Sequence, residues 1–316
     1  MVSLRYHPIV QRLRIRATEF FQWVAGKIEQ SKPWFRRMML ILRPSELPTA
    51  AVGPDGRYVL EAEFARGATG IVYRARDVRL DRPVALKQLF SHRSDEAETL
   101  HRFRQQARVL GLLSHPNIVQ VYDYIEDPRN SWIAMELVEG ENLEQRLSQG
   151  ELSAEETVRR GLELADALGY AHDQGVIHHN FNLSHVMVDS KDRCKINEFG
   201  IATLSQTSEE TESETVLDSP AFMSPEQARG DDVDGRTDVY ALGVALFFMA
   251  TGTKPFKGDS RSVREQVLSQ EPPAPTSLNR SIPKALDALI LRMMAKAPDD
   301  RPQSMTEVKA ALKEMG

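Results

Sequence analysis

Short stretches of the chain contain residues whose types and spacing could bind or transfer phosphate. Gly67 and Gly70 form a Gly-x-x-Gly turn, where a backbone without side chains can approach a phosphate group. Lys87 follows a β-rich apolar run at residues 84–86, and a carboxylate stands at Glu198. Each feature alone has a structural explanation, because such a turn is often a plain hairpin and a strand lysine is usually solvated. Their meaning therefore depends on the elements that position them.

The residue patterns predict a small, mostly β lobe followed by a larger α-helical lobe. A helix with Ala107, Leu110 and Leu113 on one face separates the first strands from the next pair, and mainly helical patterning begins at Leu143. The strand-like segments are residues 58–90, 118–124, 132–138, 186–188 and 194–196. This order of elements corresponds to an α+β fold.

The composition is that of a globular protein, because 316 residues with 41% apolar side chains can bury a full core. The single cysteine, Cys194, excludes an internal disulfide and a cysteine zinc cluster, which fits a reducing compartment. The longest apolar stretch, residues 240–250, is too short to span a bilayer, and the N-terminus lacks the apolar core of a signal peptide. These features predict a cytoplasmic protein.

Residues 1–50 are predicted to form a separate basic extension and linker. They hold nine Lys and Arg against three Asp and Glu, although the whole chain has a net charge of −5. Apolar residues recur at helical spacing over residues 9–28, which predicts a basic amphipathic helix. Through residues 9–42 the extension could lie on an anionic inner-membrane surface, dock into a protein partner, or pack on the main domain. Nucleic acid is not an expected partner, since the patch is short and the main domain acidic.

Taken in order, the motifs resemble the bacterial branch of the eukaryotic-type, or Hanks-type, Ser/Thr protein kinases over residues 58–316. The motifs are the Gly-rich loop at residues 64–73, Val-Ala-Leu-Lys at 84–87, the loop at 178–187, and Asn-Glu-Phe-Gly at 197–200. The resemblance implies a bilobal kinase-like fold, with a small antiparallel β lobe and hinge at 58–138 and a helical lobe at 139–316. It also implies a buried pair between Glu226 and Arg301, and an Asp238 that anchors the catalytic loop.

The resemblance further implies a site for ATP or ADP. Lys87 would contact the phosphates under the Gly-rich loop, whose first family glycine is replaced by Ala65. Met135 would be the gatekeeper residue at the start of the hinge. The implied nucleotide-binding residues are Gly67, Gly70, Val72, Ala85, Lys87, Met135, Glu136, Val138 and Met187.

Several positions depart from the family pattern where the chemistry is done. Asn180 replaces the catalytic Asp, and Gln106 replaces the helix Glu that pairs with Lys87. Glu198 replaces the metal-binding Asp and could still hold Mg²⁺ or Mn²⁺ in altered geometry, whereas His185, in place of the metal-binding Asn, suits Mg²⁺ poorly. His179 and Asn182 replace a basic Arg and Lys in the same loop.

These departures predict a pseudokinase that acts as a nucleotide-sensing, scaffold or allosteric signalling module, with phosphoryl transfer lost or severely impaired. Its partner would be a protein, such as an active kinase or that kinase's substrate. One alternative is an active but unconventional Ser/Thr kinase, because phosphoryl transfer depends mostly on positioning and electrostatics. A second alternative is a protein-binding module that takes no nucleotide.

Overall fold

The structure is a computed structural model, and all residues that it describes belong to one unit of the chain, Thr49–Gly316. The described residues are 51–53, 56–66, 70–89, 107, 109–127, 130–199 and 220–315. The predictions for Gly67, for Gln106 and for the extension at residues 1–50 therefore lie outside the described residues.

The first lobe is a curled antiparallel sheet. Its strands are β1 (Ala51–Val52), β2 (Tyr58–Arg66), β3 (Gly70–Asp77), β4 (Arg82–Leu89), β5 (Val121–Asp127) and β6 (Asn130–Met135). Hydrogen bonding gives the strand order β1-β2-β3-β4-β6-β5. Residues 109–112, between β4 and β5, are helical.

The two faces of this sheet carry different sets of residues because side chains alternate along each strand. One face carries a buried cluster that includes Tyr73, Leu86 and Trp132. The intervening residues, such as Ala85 and Lys87, point to the other face. That second face forms one wall of the candidate site.

The second lobe is mainly helical. Its helices are α1 (Leu143–Leu147), α2 (Ala154–Asp173), α3 (Pro225–Arg229), α4 (Gly235–Thr251), α5 (Ser260–Ser269), α6 (Pro275–Leu278), α7 (Lys284–Met293) and α8 (Met305–Lys313). The core lies around α4, which is buried along nearly its whole length. At Gly243 a Cβ atom would stand 2.8 Å from the Cβ of Met293, so the glycine lets α4 and α7 pack closely. Among the described residues, no helix combines the length and apolarity needed to cross a bilayer.

A small sheet and a short connection join the lobes. Strands β7 (Glu141–Asn142), β8 (Val186–Val188) and β9 (Cys194–Ile196) form the sheet. Ile196 donates to the Asn117 carbonyl and accepts from the Val119 amide, both at 2.8 Å. The segment before β5 is therefore bound to the strand that precedes Glu198.

The predicted α+β bilobal fold is confirmed, with some differences at the strand ends. The short strands predicted at 186–188 and 194–196 have the predicted bounds. The strand predicted at 118–124 instead begins at Val121, because the residues before it bond to β9. The strand predicted at 132–138 ends at Met135, where the chain leaves the sheet and crosses to the other lobe.

The predicted pair of Glu226 and Arg301 is confirmed, and it is buried. The guanidinium donates to the two carboxylate oxygens at 2.7 and 2.8 Å, and the Arg301 side chain is 0% exposed. Thr237 also donates to Glu226, at 2.8 Å. Although burial acts to raise the pKa of Glu226, the hydrogen bonds and charge of Arg301 hold it below its ordinary value. The pair ties the start of α3 to the segment before α8.

We expect Glu226→Gln to destabilise the fold strongly, because it leaves the buried guanidinium without a counter-charge. The free energy of unfolding in urea should fall by about 3–5 kcal/mol. Glu265→Gln, which removes one partner of the exposed Arg261–Glu265 pair, should cost less than about 1 kcal/mol. Equal small losses in both variants would show that the buried pair does not hold these elements together.

Candidate functional site

The inner face of the sheet and the hinge bring together most of the predicted adenine-binding residues. Val72 on β3 is the register partner of Lys87 on β4, and Ala85 on β4 is the partner of Met135 on β6. Side chains of directly opposed residues lie about 4.5–5.5 Å apart at Cβ. Met187 comes from β8 in the other lobe, where it pairs with Asn142 and Lys195.

Hydrogen bonds within the protein hold the hinge at Glu136, whereas the amide of Val138 has no described partner. The Glu136 amide donates to the Gln120 carbonyl at 2.8 Å, and the Glu136 carboxylate accepts from Lys195 at 2.9 Å. The amide of Val138, a residue 8% exposed, donates to no described residue. A backbone donor without a described partner suits a ligand with an acceptor atom, such as adenine. No pattern in the sequence predicts the ion pair between Glu136 and Lys195.

Lys87 is buried and paired with Glu198. Its ammonium lies 2.6 Å from one Glu198 carboxylate oxygen, and the side chain is 5% exposed. The other Glu198 oxygen lies 3.6 Å from the Nε2 atom of His185. Glu198 has a positive φ of 61°, which is uncommon for a residue other than glycine. Glu198 and His185, the two candidate metal ligands, therefore face each other, and Glu198 also contacts Lys87, the residue predicted to bind phosphate.

The loop that contains Asn180 continues this network. The Asn180 carbonyl accepts from His185 Nδ1 at 2.9 Å and from Asn182 Nδ2 at 3.2 Å. Asn182 also caps the following turn by accepting from the Ser184 amide at 2.9 Å. Within the described part of the chain, the Asn180 side chain makes no hydrogen bond. Position 180, where the resemblance predicts a catalytic Asp, therefore carries an amide that makes no described hydrogen bond.

Asp238 holds the backbone of the same loop, as predicted. Its buried carboxylate accepts from the His178 amide at 2.8 Å, the His179 amide at 3.1 Å and His172 Nε2 at 2.8 Å. Burial acts to raise the pKa of Asp238, but the hydrogen bond from His172 and the nearby histidines keep it low. His172 was missed in the sequence because nothing in its spacing marks it as a partner of Asp238. The arrangement also supports the positive φ of His179, 63°.

His178 connects the loop to the segment around Glu198. Its ring centroid lies 4.6 Å from that of Phe199, and its Nε2 atom lies 3.0 Å from the Asn197 carbonyl. Because a carbonyl only accepts, Nε2 carries the proton. Burial lowers the pKa of His178 to about 4, so the ring is neutral at pH 7. Leu110 packs against the core that contains Phe199, whereas Val121 packs against a small cluster around Ile133.

A divalent metal does not fit this part of the site well. Within the described residues, no group of three or more His, Cys, Asp or Glu side chains could hold a metal ion. Mg²⁺ requires oxygen ligands in near-octahedral geometry. Of the two candidate ligands, Glu198 offers oxygen atoms and His185 offers nitrogen. Its oxygens already face Lys87 and His185.

Comparison with known proteins agrees with the fold and the motifs. The family model described as "Protein kinase domain" matches residues 58–312. The serine/threonine-protein kinase PrkC of Bacillus subtilis is 34% identical over 261 residues, which cover 82% of this chain and 40% of PrkC. The serine/threonine-protein kinase PknB of Mycobacterium leprae is 35% identical over 263 residues, 81% of this chain and 42% of PknB. The chain thus spans about two fifths of these relatives.

A solved structure of a protein kinase domain also matches this chain. The kinase domain of PknI from Mycobacterium tuberculosis matches with a TM-score of 0.67 and 28% sequence identity. The match covers 84% of this chain and 99% of that domain.

The low pKa of His178 predicts that the fold loses stability in mild acid. The unfolded chain takes up a proton below about pH 6.5, whereas folded His178 stays neutral until about pH 4. As the pH falls between these values, His178 should lower the free energy of unfolding by up to about 1.4 kcal/mol per pH unit. We expect a His178→Phe variant to show a shallower decline between pH 6.5 and 4.5 in urea unfolding. Identical slopes in the two proteins would assign the acid sensitivity to other groups.

Proposed function

The chain belongs to the protein kinase family, and from this premise we propose that it binds adenine nucleotide while phosphoryl transfer is lost or severely impaired. Such a protein would act as a nucleotide-sensing, scaffold or allosteric module in bacterial signalling.

The observation that carries this proposal is Asn180. It stands where kinases of this family place the Asp that accepts a proton from the substrate hydroxyl, and an amide has no basic site at ordinary pH. Loss of a positioned base costs about 10² to 10⁴ in rate. The surrounding loop is well anchored by Asp238, so the change at 180 is not explained by a collapsed loop.

Nucleotide binding is supported by the residues that remain. ATP or ADP would place its adenine between Val72, Ala85 and Met187, with the Val138 amide as a hydrogen-bond donor. Lys87 would hold the phosphates. When bound, ATP would supply the γ-phosphate that an active kinase transfers, and this chain's residues would bind and orient it.

An active but unconventional Ser/Thr kinase is the second candidate. The named relatives are serine/threonine-protein kinases, and these similarities support the active candidate better than they support the loss of transfer. Lys87 is retained and Glu198 keeps a carboxylate, so a water molecule could act in place of the base. The choice between the candidates therefore depends on a transfer assay. A module that binds partners without nucleotide is the third candidate.

The proposed partner is a protein, such as an active kinase or its substrate. A cytoplasmic location, with or without attachment to the inner membrane through residues 9–42, belongs to the same proposal. It rests on the sequence pattern alone.

We expect no transfer of labelled γ-phosphate from ATP to the chain itself or to a generic protein substrate. The assay should be run with Mg²⁺ and separately with Mn²⁺, with Lys87→Met as the negative control and PrkC as the positive control. Incorporation should match that of Lys87→Met, because Asn180 cannot accept the proton. Incorporation that is present in the unmodified chain and absent from Lys87→Met would favour the second candidate.

We also expect ADP and ATP to raise the melting temperature. A ligand that binds only the folded state stabilises it by about 2.7 kcal/mol at one hundred times its Kd. Lys87→Met should reduce the shift because it removes the phosphate contact. Lys284→Met, at an exposed position, is the matched control and should leave the shift unchanged. No shift with either nucleotide would support the third candidate.

A further inference from the structure

The metal-binding position of this cleft is filled by contacts within the protein. Glu198 is 27% exposed, and one of its oxygens lies 2.6 Å from the ammonium of Lys87, a side chain 5% exposed. A charge-assisted hydrogen bond of this length is among the stronger polar contacts in proteins. A metal ion at this oxygen would compete with the ammonium of Lys87 for the negative charge of Glu198 and so weaken the pairing of a buried cation.

The second Glu198 oxygen also faces a nitrogen atom. His185 is 6% exposed, and its Nε2 atom lies 3.6 Å from that oxygen. The ring is held in this orientation by the contact of Nδ1 with the Asn180 carbonyl and by stacking at 6.0 Å on His178. A hard cation prefers oxygen ligands, so His185 does not complete a magnesium site.

The backbone directs Glu198 toward Lys87. Just before Glu198, the Asn197 amide donates to the His185 carbonyl at 2.9 Å, and the Asn197 carbonyl accepts from His178. Glu198 itself has a φ of 61°, a conformation that costs energy and persists only where the surroundings impose it. Glutamate is one methylene longer than aspartate. The fixed backbone and the longer side chain together account for the contact with the lysine.

We propose that Glu198 is the counterion of Lys87 and not a metal ligand, so that this cleft binds adenine nucleotide without a divalent cation. The inference rests on the proposed nucleotide binding. A phosphate group reaches Lys87 by replacing Glu198, which moves toward solvent. The released carboxylate then repels the phosphates, so Glu198 weakens nucleotide binding in the absence of metal.

The first test is calorimetric titration of the full chain with ADP in EDTA and in Mg²⁺. The Kd of the unmodified chain should agree within about threefold between the two buffers. Glu198→Gln should bind ADP about tenfold more tightly in EDTA, because it removes a competing charge. Glu314→Gln, at an exposed position, is the matched control and should not change the Kd.

A Mg²⁺ dependence of tenfold or more that disappears in Glu198→Gln would overturn the inference and restore Glu198 as a metal ligand. Absence of ADP binding in either buffer would instead overturn the proposed function.

The second test needs no nucleotide and decides the pairing by itself. In a double-mutant cycle of Lys87→Gln and Glu198→Gln, the coupling should change the unfolding equilibrium constant by about tenfold. The same cycle at the exposed Arg261–Glu265 pair should give less than about twofold. Equal coupling in the two cycles would show that Glu198 is not the counterion of Lys87.

Discussion

The candidate site depends on a carboxylate that performs no chemistry. Asp238 is fully buried at the start of α4 and accepts from the amides of His178 and His179. A buried charge is tolerated only when it is hydrogen bonded, and these amides together with His172 meet that need. The loop is thereby fixed to the most deeply buried helix of the larger lobe. Asn180 directly follows His178 and His179, and its carbonyl accepts from His185 Nδ1.

The same attachment reaches the smaller lobe through a short path. His178 contacts the Asn197 carbonyl and Phe199, and Ile196 is bonded to the segment before β5. Glu198 lies within this path and contacts Lys87 on β4. The loop at His178 and the segment at Glu198, both in the larger lobe, are therefore linked to β4 of the smaller lobe through the Lys87–Glu198 ion pair. A ligand that replaces Glu198 at Lys87 would break this contact between lobes, so the proposed nucleotide binding would have a structural consequence without any transfer of phosphate.

The sequence predicted the parts of this structure that depend on local pattern or on a motif with one structural role. The bilobal fold, the strands around Met187 and Lys195, the Glu226–Arg301 pair and the role of Asp238 were all accessible in that way. The Lys87–Glu198 pair was not, because the motifs assign each residue to a different partner, a helix glutamate and a metal ion. The residues are 111 positions apart, so their contact depends on how the lobes fold. The Glu136–Lys195 pair was not predicted from the sequence for the same reason.

The presence of a buried lysine is itself informative about what the cleft is for. Taking an ammonium out of water costs several kcal/mol, and a carboxylate partner offsets that cost without making the pair cheaper than a well-packed apolar residue. Stability alone would therefore be served as well by an apolar side chain at position 87. By contrast, the burial of Glu226 and Arg301 is explained by their role in joining separate elements of the larger lobe. Lys87 and Glu198 join the lobes at the place where a phosphate would bind, so the burial of Lys87 is better explained by an anion that competes with Glu198 than by folding.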